Sequence, residues 1–419
     1  MLMIINEFPP TGESGVQRSL KFVKYLSRAG HEVHVITPRK PVKNILDYSL
    51  CDEIPRSVKI HYTANWGIKG KTTQNIAKTK NHVSDTTSIF KKFAWESLKF
   101  VNDVLFPFDK QMGWIPFAFS KACHLIKKHN IRNIYITSYP FSAQIIGLKL
   151  KKRYGEKIFY VADYRDSWQF EPKLSKNVSQ KRLSRIVSVD NKVLKTCDHL
   201  TAATEKIRMD YVNLHPSLKG NSTTIYNGYD DDDFQNLPKH TNDKFCYLLM
   251  GKIYDFKGSP EHLLEAMSKL KSDFQFIHIG TIPPKMLSKF NEKYSFFHHL
   301  GYKSHREALS LAASADVLVI ILNNDIHSAS VVPGKLFECI RLNKPILSLC
   351  PTDGLLAEII NDNGLGTCSV PDNVEEIVVA LNQINSQRIN SNINEFYQFS
   401  REHQAKRLEE IFKSNETTS

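Results

Sequence analysis

Nowhere in its 419 residues does the chain approach the ~20 consecutive apolar positions of a membrane-spanning helix, which argues against an integral helical membrane protein. The opening Met1-Leu2-Met3-Ile4-Ile5-Asn6 lacks the basic start and longer apolar core of a signal peptide, so it reads as a first strand and points to a cytoplasmic chain. Cysteine is sparse and unpaired in pattern. Cys51, Cys123, Cys197, Cys246, Cys339, Cys350 and Cys368 are odd in number and form no C-x-x-C, so reduced thiols are expected and neither a disulfide framework nor a zinc site is. No internal repeat or low-complexity tract is present, and no glycine cluster follows G-x-G-x-x-G, which weakens a dinucleotide reading.

What is present is ordinary globular composition with unevenly placed charge. Residues 1–239 carry 38 Lys and Arg against 22 Asp and Glu, whereas residues 240–419 carry 18 against 21. A basic first half fits an anionic partner such as a membrane surface or a phosphorylated lipid; a solvated Lys-rich surface fits equally well. No nucleic-acid-binding module accompanies the charge, so nucleic acid is not expected as a partner.

The chain alternates short apolar runs with helical periodicity. Residues 2–5 (strand), a Pro- and Gly-bearing loop, 16–29 (helix) and 31–37 (strand) form a β–loop–α–β unit of nucleotide-binding type. Residues 65–87 read as a long polar loop. Residues 89–105 form an amphipathic, Lys-bearing helix that would either face a core or lie on an anionic membrane, with core-facing favoured. Phe106, Phe108, Trp114 and Phe117 add aromatics that would suit a membrane surface or an acceptor cleft. A strand over 157–162 runs into Asp163-Tyr164-Arg165-Asp166-Ser167-Trp168, and open α/β sheets place their sites at such carboxyl ends. After a polar stretch over 237–243, read as a linker, a second alternating set runs to about residue 392, with closing helices at 373–384 and 394–412. The acidic run Asp230–Asp233 reads as a solvated turn rather than a metal site. The expected fold is α/β, with two Rossmann-like domains (1–238 and 239–392) facing an interdomain cleft and a C-terminal helix within 393–419 that packs back toward the first domain.

One stretch organises the second half. Pro333 suits a first helical turn, Asn343 a left-handed helix stop, and Pro345 prevents resumption before the apolar run from Ile346. A helix start reached through Pro-Gly offers backbone N–H groups and a positive dipole end to a phosphate. Glu338 lies a turn further in, within reach of a sugar hydroxyl. An ordinary strand–loop–helix unit with a surface Glu accounts for these residues equally well.

Five stretches, in order along nearly the whole chain, resemble the family 4 glycosyltransferases, retaining enzymes of the two-domain GT-B architecture, and most closely bacterial members that make surface polysaccharides. They are FPPTGESGVQR (8–18), ADYRDSW (162–168), YNGYD (226–230), GKIYDFKG (251–258) and VPGKLFECIRLNKP (332–345). The resemblance implies that Lys252 and Lys257 grip the donor diphosphate, with Lys252 at the family's Arg position. It implies that Val332, Gly334 and Lys335 cover the pyrophosphate through backbone N–H groups, and that Glu338, the second Glu of the family's E-x7-E motif, binds the ribose. Ser330 stands where the first Glu is usual, and Glu13 replaces the second Gly of a Gly-Gly pair. Gly12 and Gly15 would line the donor phosphate from the first domain. Arg18, in the following helix, fits a structural role as well. Asp163, Arg165 and Asp166 would lie on the acceptor side at the reacting carbon, a buried ion-pair cluster being the alternative for each.

The implied reaction moves a sugar from a nucleotide sugar to a lipid-linked or other glycan acceptor in O-antigen, capsule or exopolysaccharide synthesis. It needs no cofactor and no metal, because lysines and a helix N-terminus neutralise the diphosphate. The implied place is the cytoplasm, with peripheral contact at an anionic inner membrane surface. A catalytically inactive GT-B scaffold, motivated by Ser330 and Glu13, and a nucleotide-sugar epimerase are the competing expectations.

Overall fold

The computed structural model describes residues 1–12, 14–40, 46–66, 107–170, 178–254, 258–386 and 393–418. Among them the strands form two all-parallel sheets. The first holds β1 (Leu2–Ile4), β2 (His34–Pro38), β3 (Lys59–Thr63), β4 (Asn133–Ser138), β5 (Phe159–Tyr164), β6 (His199–Ala202) and β7 (Ser222–Thr224), in the order β3-β2-β1-β4-β5-β6-β7. The second holds β8 (Phe245–Met250), β9 (Phe274–Ile279), β10 (Phe297–His299), β11 (Val317–Ile321), β12 (Ile346–Leu349) and β13 (Gly366–Ser369), in the order β10-β9-β8-β11-β12-β13. Each sheet winds outward in both directions from its first strand. That is the doubly wound pattern whose ligands sit beyond the carboxyl ends of the strands where the winding reverses. The reversal falls between β1 and β4 in one sheet, and between β8 and β11 in the other.

The strand sequences explain the layers. Runs such as Val317-Leu318-Val319-Ile320-Ile321 are buried along their whole length, as a parallel strand covered by helices on both faces must be. In the first sheet, one face packs on helices Ile115–His129, Gln144–Tyr154 and Gln180–Thr196 through Leu2, Ile134, Ile146, Leu150 and Val193. The other face packs on helix Ser14–Arg28 and on the C-terminal helix Arg401–Thr418 through Val16, Leu20, Leu408 and Phe412.

The chain divides into two compact units, Met1–Tyr226 with Arg401–Ser419, and Asn227–Ser400. The sequence reading put the divide at 238/239 and the returning segment at 393. Residues 227–236 go with the second unit because they bond within it. Tyr229 N–H donates to Phe399 O at 3.1 Å, Arg341 pairs with Asp231, and Arg306 donates to the carbonyls of Gln235 and Asn236. The closing segment is two elements rather than one helix, a 3-10 stretch Ile393–Phe399 and helix Arg401–Thr418, parted at Ser400 where the chain bridges to Tyr229.

Three further expectations meet the structure here. Trp114 is buried, its indole N–H donating to Thr63 Oγ1 at 2.8 Å, so it is no exposed aromatic; Ile115 is buried beside it. Asp230, read as solvated, is 2 % exposed and caps the short helix Asp231–Phe234. The amphipathic segment 89–105 and most of the loop 65–87 lie outside the described residues. No helix among the described residues is long and apolar enough to cross a membrane.

Candidate functional site

In the first unit, charged residues gather at the carboxyl ends of β1 and β5. Asp163, on β5, is fully buried. Its Oδ1 accepts from Arg18 Nη2 at 2.8 Å and Thr201 at 2.7 Å, and its Oδ2 from Arg18 Nε at 3.2 Å and Thr137 at 2.7 Å. Arg18, 1 % exposed, also donates to the carbonyls of Ile225 and Tyr226. Burial works against the charge on Asp163, but the Arg18 guanidinium outweighs it and holds the carboxyl below its usual range. Asp163 is therefore held in a buried ion pair. Its four acceptor contacts tie helix Ser14–Arg28 to strands β4, β5 and β6, and no face of it meets solvent, so the expected place at a reacting carbon gives way to the ion-pair alternative.

Arg165 and Gly15 are brought together. A Cβ on Gly15 would lie 1.7 Å from Arg165 Nη1, so only glycine lets the guanidinium rest against the start of helix Ser14–Arg28. Arg165 keeps a fifth of its side chain exposed and faces Glu7 at 3.7 Å and Asp166 at 3.5 Å. Asp166 is largely exposed, and Gly12 is half-buried in the loop before the helix. Asn6, just past β1, is 4 % exposed with neither polar side-chain atom hydrogen-bonded among the described residues. Such an amide at the reversal of a doubly wound sheet is suited to a ligand. Asn6 and Glu7 escaped the sequence reading; the signal was two polar residues directly after the central strand.

In the second unit the corresponding strand end is open. β8 leads into Gly251, whose φ of 119° only glycine adopts without strain. Gly280, with φ 140°, lies so close that a Cβ would meet Gly251 O at 2.1 Å. These two glycines let the β8 and β9 ends close on each other, and His278 locks them, its Nε2 lying 2.9 Å from Gly251 O and its Nδ1 2.9 Å from His299 Nδ1. Burial drives the His278 pKa down to about 4, so the ring is neutral and bonds as a donor to that carbonyl.

A cavity of about 90 Å³ opens beside this turn, lined by Gly251, Lys252, Tyr254, Gly258, Ile321 and Lys335. It therefore spans the ends of β8 and β11, the reversal point of this sheet. Lys252 is exposed, its ammonium 4.7 Å from the Tyr254 ring centre. Lys335, first residue of helix Lys335–Leu342, points its amine at Met250 O, 3.0 Å away, and desolvation lowers its pKa. That amine was missed in the sequence, where Lys335 counted only through its backbone. A Lys directly after Pro-Gly at a helix start was the available signal. Gly334, the N-cap of this helix, is exposed, and a Cβ there would meet nothing within 4 Å. Pro333 stands one residue ahead of that cap, and Asn343 closes the helix at φ 53° as its sequence suggests. Ser330 ends the 3-10 turn Ser328–Ser330, and Val332 lies in the half-buried segment between. Glu338, one turn into the helix, is partly exposed with Oε1 at 2.9 Å from His305 Nε2. Lys257 lies outside the described residues.

No protein-family model and no curated protein sequence matches this chain. Solved structures do match it, over essentially its whole length. Anabaena Alr3699/HepE, solved with UDP and glucose, superposes with a TM-score of 0.60 at 13 % identity, covering 99 % of each chain. A glycosyltransferase from Rickettsia africae gives 0.60 at 16 %, covering 100 % of this chain and 98 % of that one. The lipopolysaccharide outer core galactosyltransferase WaaB gives 0.60 at 12 %, covering 99 % of each. With its two doubly wound α/β units, the chain has the fold of the GT-B glycosyltransferases.

Proposed function

We propose that the chain is a retaining glycosyltransferase that takes a sugar from a UDP-type nucleotide sugar and passes it to a lipid-linked glycan in surface-polysaccharide assembly. The observation that carries the reading is the cationic cavity at the end of β8. Lys252 and Lys335 line it, the open N-terminus of helix Lys335–Leu342 lies at its edge, and Glu338 follows a turn later. Structures of the same fold, HepE among them, hold UDP and UDP-glucose.

The chemistry follows from these groups. A diphosphate gains negative charge as the sugar leaves, and fixed cations with helix N–H groups favour that state over the ground state. Lys252 and Lys335 supply the charge, joined by Lys257. Glu338, held through one oxygen by His305, accepts from ribose hydroxyls with the other. The acceptor hydroxyl attacks from the leaving-group face and its proton passes to the departing phosphate oxygen, so no protein nucleophile is required. Arg165, seated on Gly15 beside Glu7 and Asp166, is a partly exposed cation suited to holding the acceptor. No divalent metal enters this scheme. The excess of basic residues over 1–239 supports a peripheral site of action at an anionic membrane surface.

A thermal-shift panel of UDP-, GDP- and dTDP-sugars tests the donor assignment, since a bound donor raises apparent stability by mass action. UDP-sugars should shift the wild type and shift Lys335→Ala markedly less at the same concentration. Equal shifts in both proteins would remove Lys335 from the site, and absence of any shift would favour a scaffold without donor binding. Conversion of the donor without acceptor would point to an epimerase.

A further inference from the structure

At the opposite, amino-terminal ends of the first sheet's strands lies a cluster that the donor chemistry does not use. His34 opens β2 and is 1 % exposed. Its Nε2 faces Glu32 Oε1 at 3.3 Å, and its Nδ1 faces His61 Nε2 on β3 at 3.0 Å. His129, the last residue of helix Ile115–His129, brings its ring to 4.5 Å from that of His34, centre to centre. One donor atom each from Glu32, His34 and His129 lie within 4.8 Å of one another. These three, with Asn130, border a cavity of about 320 Å³.

We propose that Glu32, His34 and His129 form a binding site for a divalent cation of the zinc type, with His61 as the outer partner that orients His34. Two imidazoles and one carboxylate are a common three-ligand set for zinc, leaving a fourth position for water. The inner geometry fits the chemistry of such sites. When His34 Nδ1–H donates to His61 Nε2, the His34 Nε2 lone pair faces the Glu32 carboxylate, and a hydrogen bond on the far nitrogen is how metal-bound imidazoles are held in one tautomer. His129 and the left-handed Asn130 end their helix, where the dipole favours a cation.

The opposing feature is Lys59, which pairs with Glu32. Its side chain is half exposed and can turn into solvent when a cation takes the carboxylate. Glu32 is exposed and His129 half-buried, so both can close the remaining spacing to the ~2.0–2.2 Å bond lengths of zinc. A bound ion would pin the starts of β2 and its preceding loop to the end of the helix. β2 spans five residues, roughly 17 Å at ~3.3 Å each, so this site is distinct from the charged residues at the carboxyl ends and is independent of metal-free sugar transfer. No thiolate takes part; the site is built from a loop, a strand start and a helix end.

Full-length protein without a polyhistidine tag, stripped with EDTA and desalted, is titrated calorimetrically with ZnCl2 and, separately, MgCl2. The expected result is one equivalent of Zn2+ and no measurable Mg2+. His129→Ala and Glu32→Gln, both at accessible positions, should each weaken Zn2+ at least tenfold with unchanged circular dichroism, His61→Ala about tenfold, and Lys59→Ala should tighten it. Substitution with Co2+ should give the visible spectrum of a low-coordinate nitrogen and oxygen site. Absence of saturable Zn2+ binding, or binding that His129→Ala and Glu32→Gln leave intact, overturns the proposal.

Discussion

The two sheets wind identically, yet the charges at their carboxyl ends do opposite things. In the first unit Arg18 and Asp163 are sealed, 1 % and 0 % exposed, and are joined by two hydrogen bonds. In the second, Lys252 and Lys335 border open space with a helix N-terminus nearby. A buried ion pair with every lone pair satisfied holds a fold in register; cations without a matching anion hold a ligand. The same topological position is therefore sealed by an ion pair in one unit and left open in the other, where we propose that it receives the donor. What decides between them is whether the protein supplies the counter-charge.

The sharpest way to break the comparison is to unseal the ion pair. Arg18→Ala leaves Asp163 charged and buried, which should cost about 3–5 kcal/mol, read as a lowered urea midpoint with an unchanged slope. Lys335→Ala breaks nothing comparable. It should retain or raise the midpoint while weakening UDP-sugar binding by ~10–100-fold, the worth of a charge-assisted contact of about 1.5–3 kcal/mol. If Arg18→Ala were neutral and Lys335→Ala unfolded the protein, the two roles would be reversed.

Acid sharpens the contrast next. His278 has a folded pKa of about 4 against an ordinary 6.5. Its neutral form is the one the fold accommodates, so below pH 6.5 the unfolded chain takes up a proton that the folded chain refuses. Stability should fall as pH drops from about 6.5 toward 4, by roughly 3 kcal/mol if this group acted alone. His278→Gln should flatten that part of the profile. Asp163 has the opposite charge logic and a lower window. Its pKa is depressed, so its contribution is complete above the unfolded value near 4 and is lost only as pH falls through the folded one.

The smallest effect on stability is expected at Gly15. A Cβ there meets the tip of a flexible arginine rather than backbone, so Gly15→Ala should change stability by less than about 1 kcal/mol. Arg165 must nevertheless leave its seat, and transfer to acceptor should fall at least tenfold. A Gly15→Ala protein with full activity would show that the Arg165 position is incidental.

Much of the fold was legible because it is local. Apolar runs of parallel-strand type and Asn343 with its following Pro345 act within a few residues. The candidate donor stretch of the second unit could be read as one piece for the same reason, since residues 330–338 form one continuous loop and helix. What escaped depends on distance along the chain. Asp163 could not be told from an exposed carboxylate, because its partner Arg18 lies 145 residues away. The Gly15–Arg165 contact spans a similar interval, and the divide at Tyr226 rests on bonds from Arg341 and Arg306 back to residues 231–236. His34, at the amino end of β2, and His61, in the middle of β3, meet only once the strands pair.

The most direct test is single-turnover incubation of the wild type, Lys335→Ala and Gly15→Ala with a UDP-sugar and a lipid-linked glycan acceptor, following UDP and the anomeric configuration of the product by NMR. The account predicts UDP release with retained configuration in the wild type, lost in Lys335→Ala through binding and in Gly15→Ala through turnover. Inverted configuration, or UDP release that is the same in all three, would contradict it.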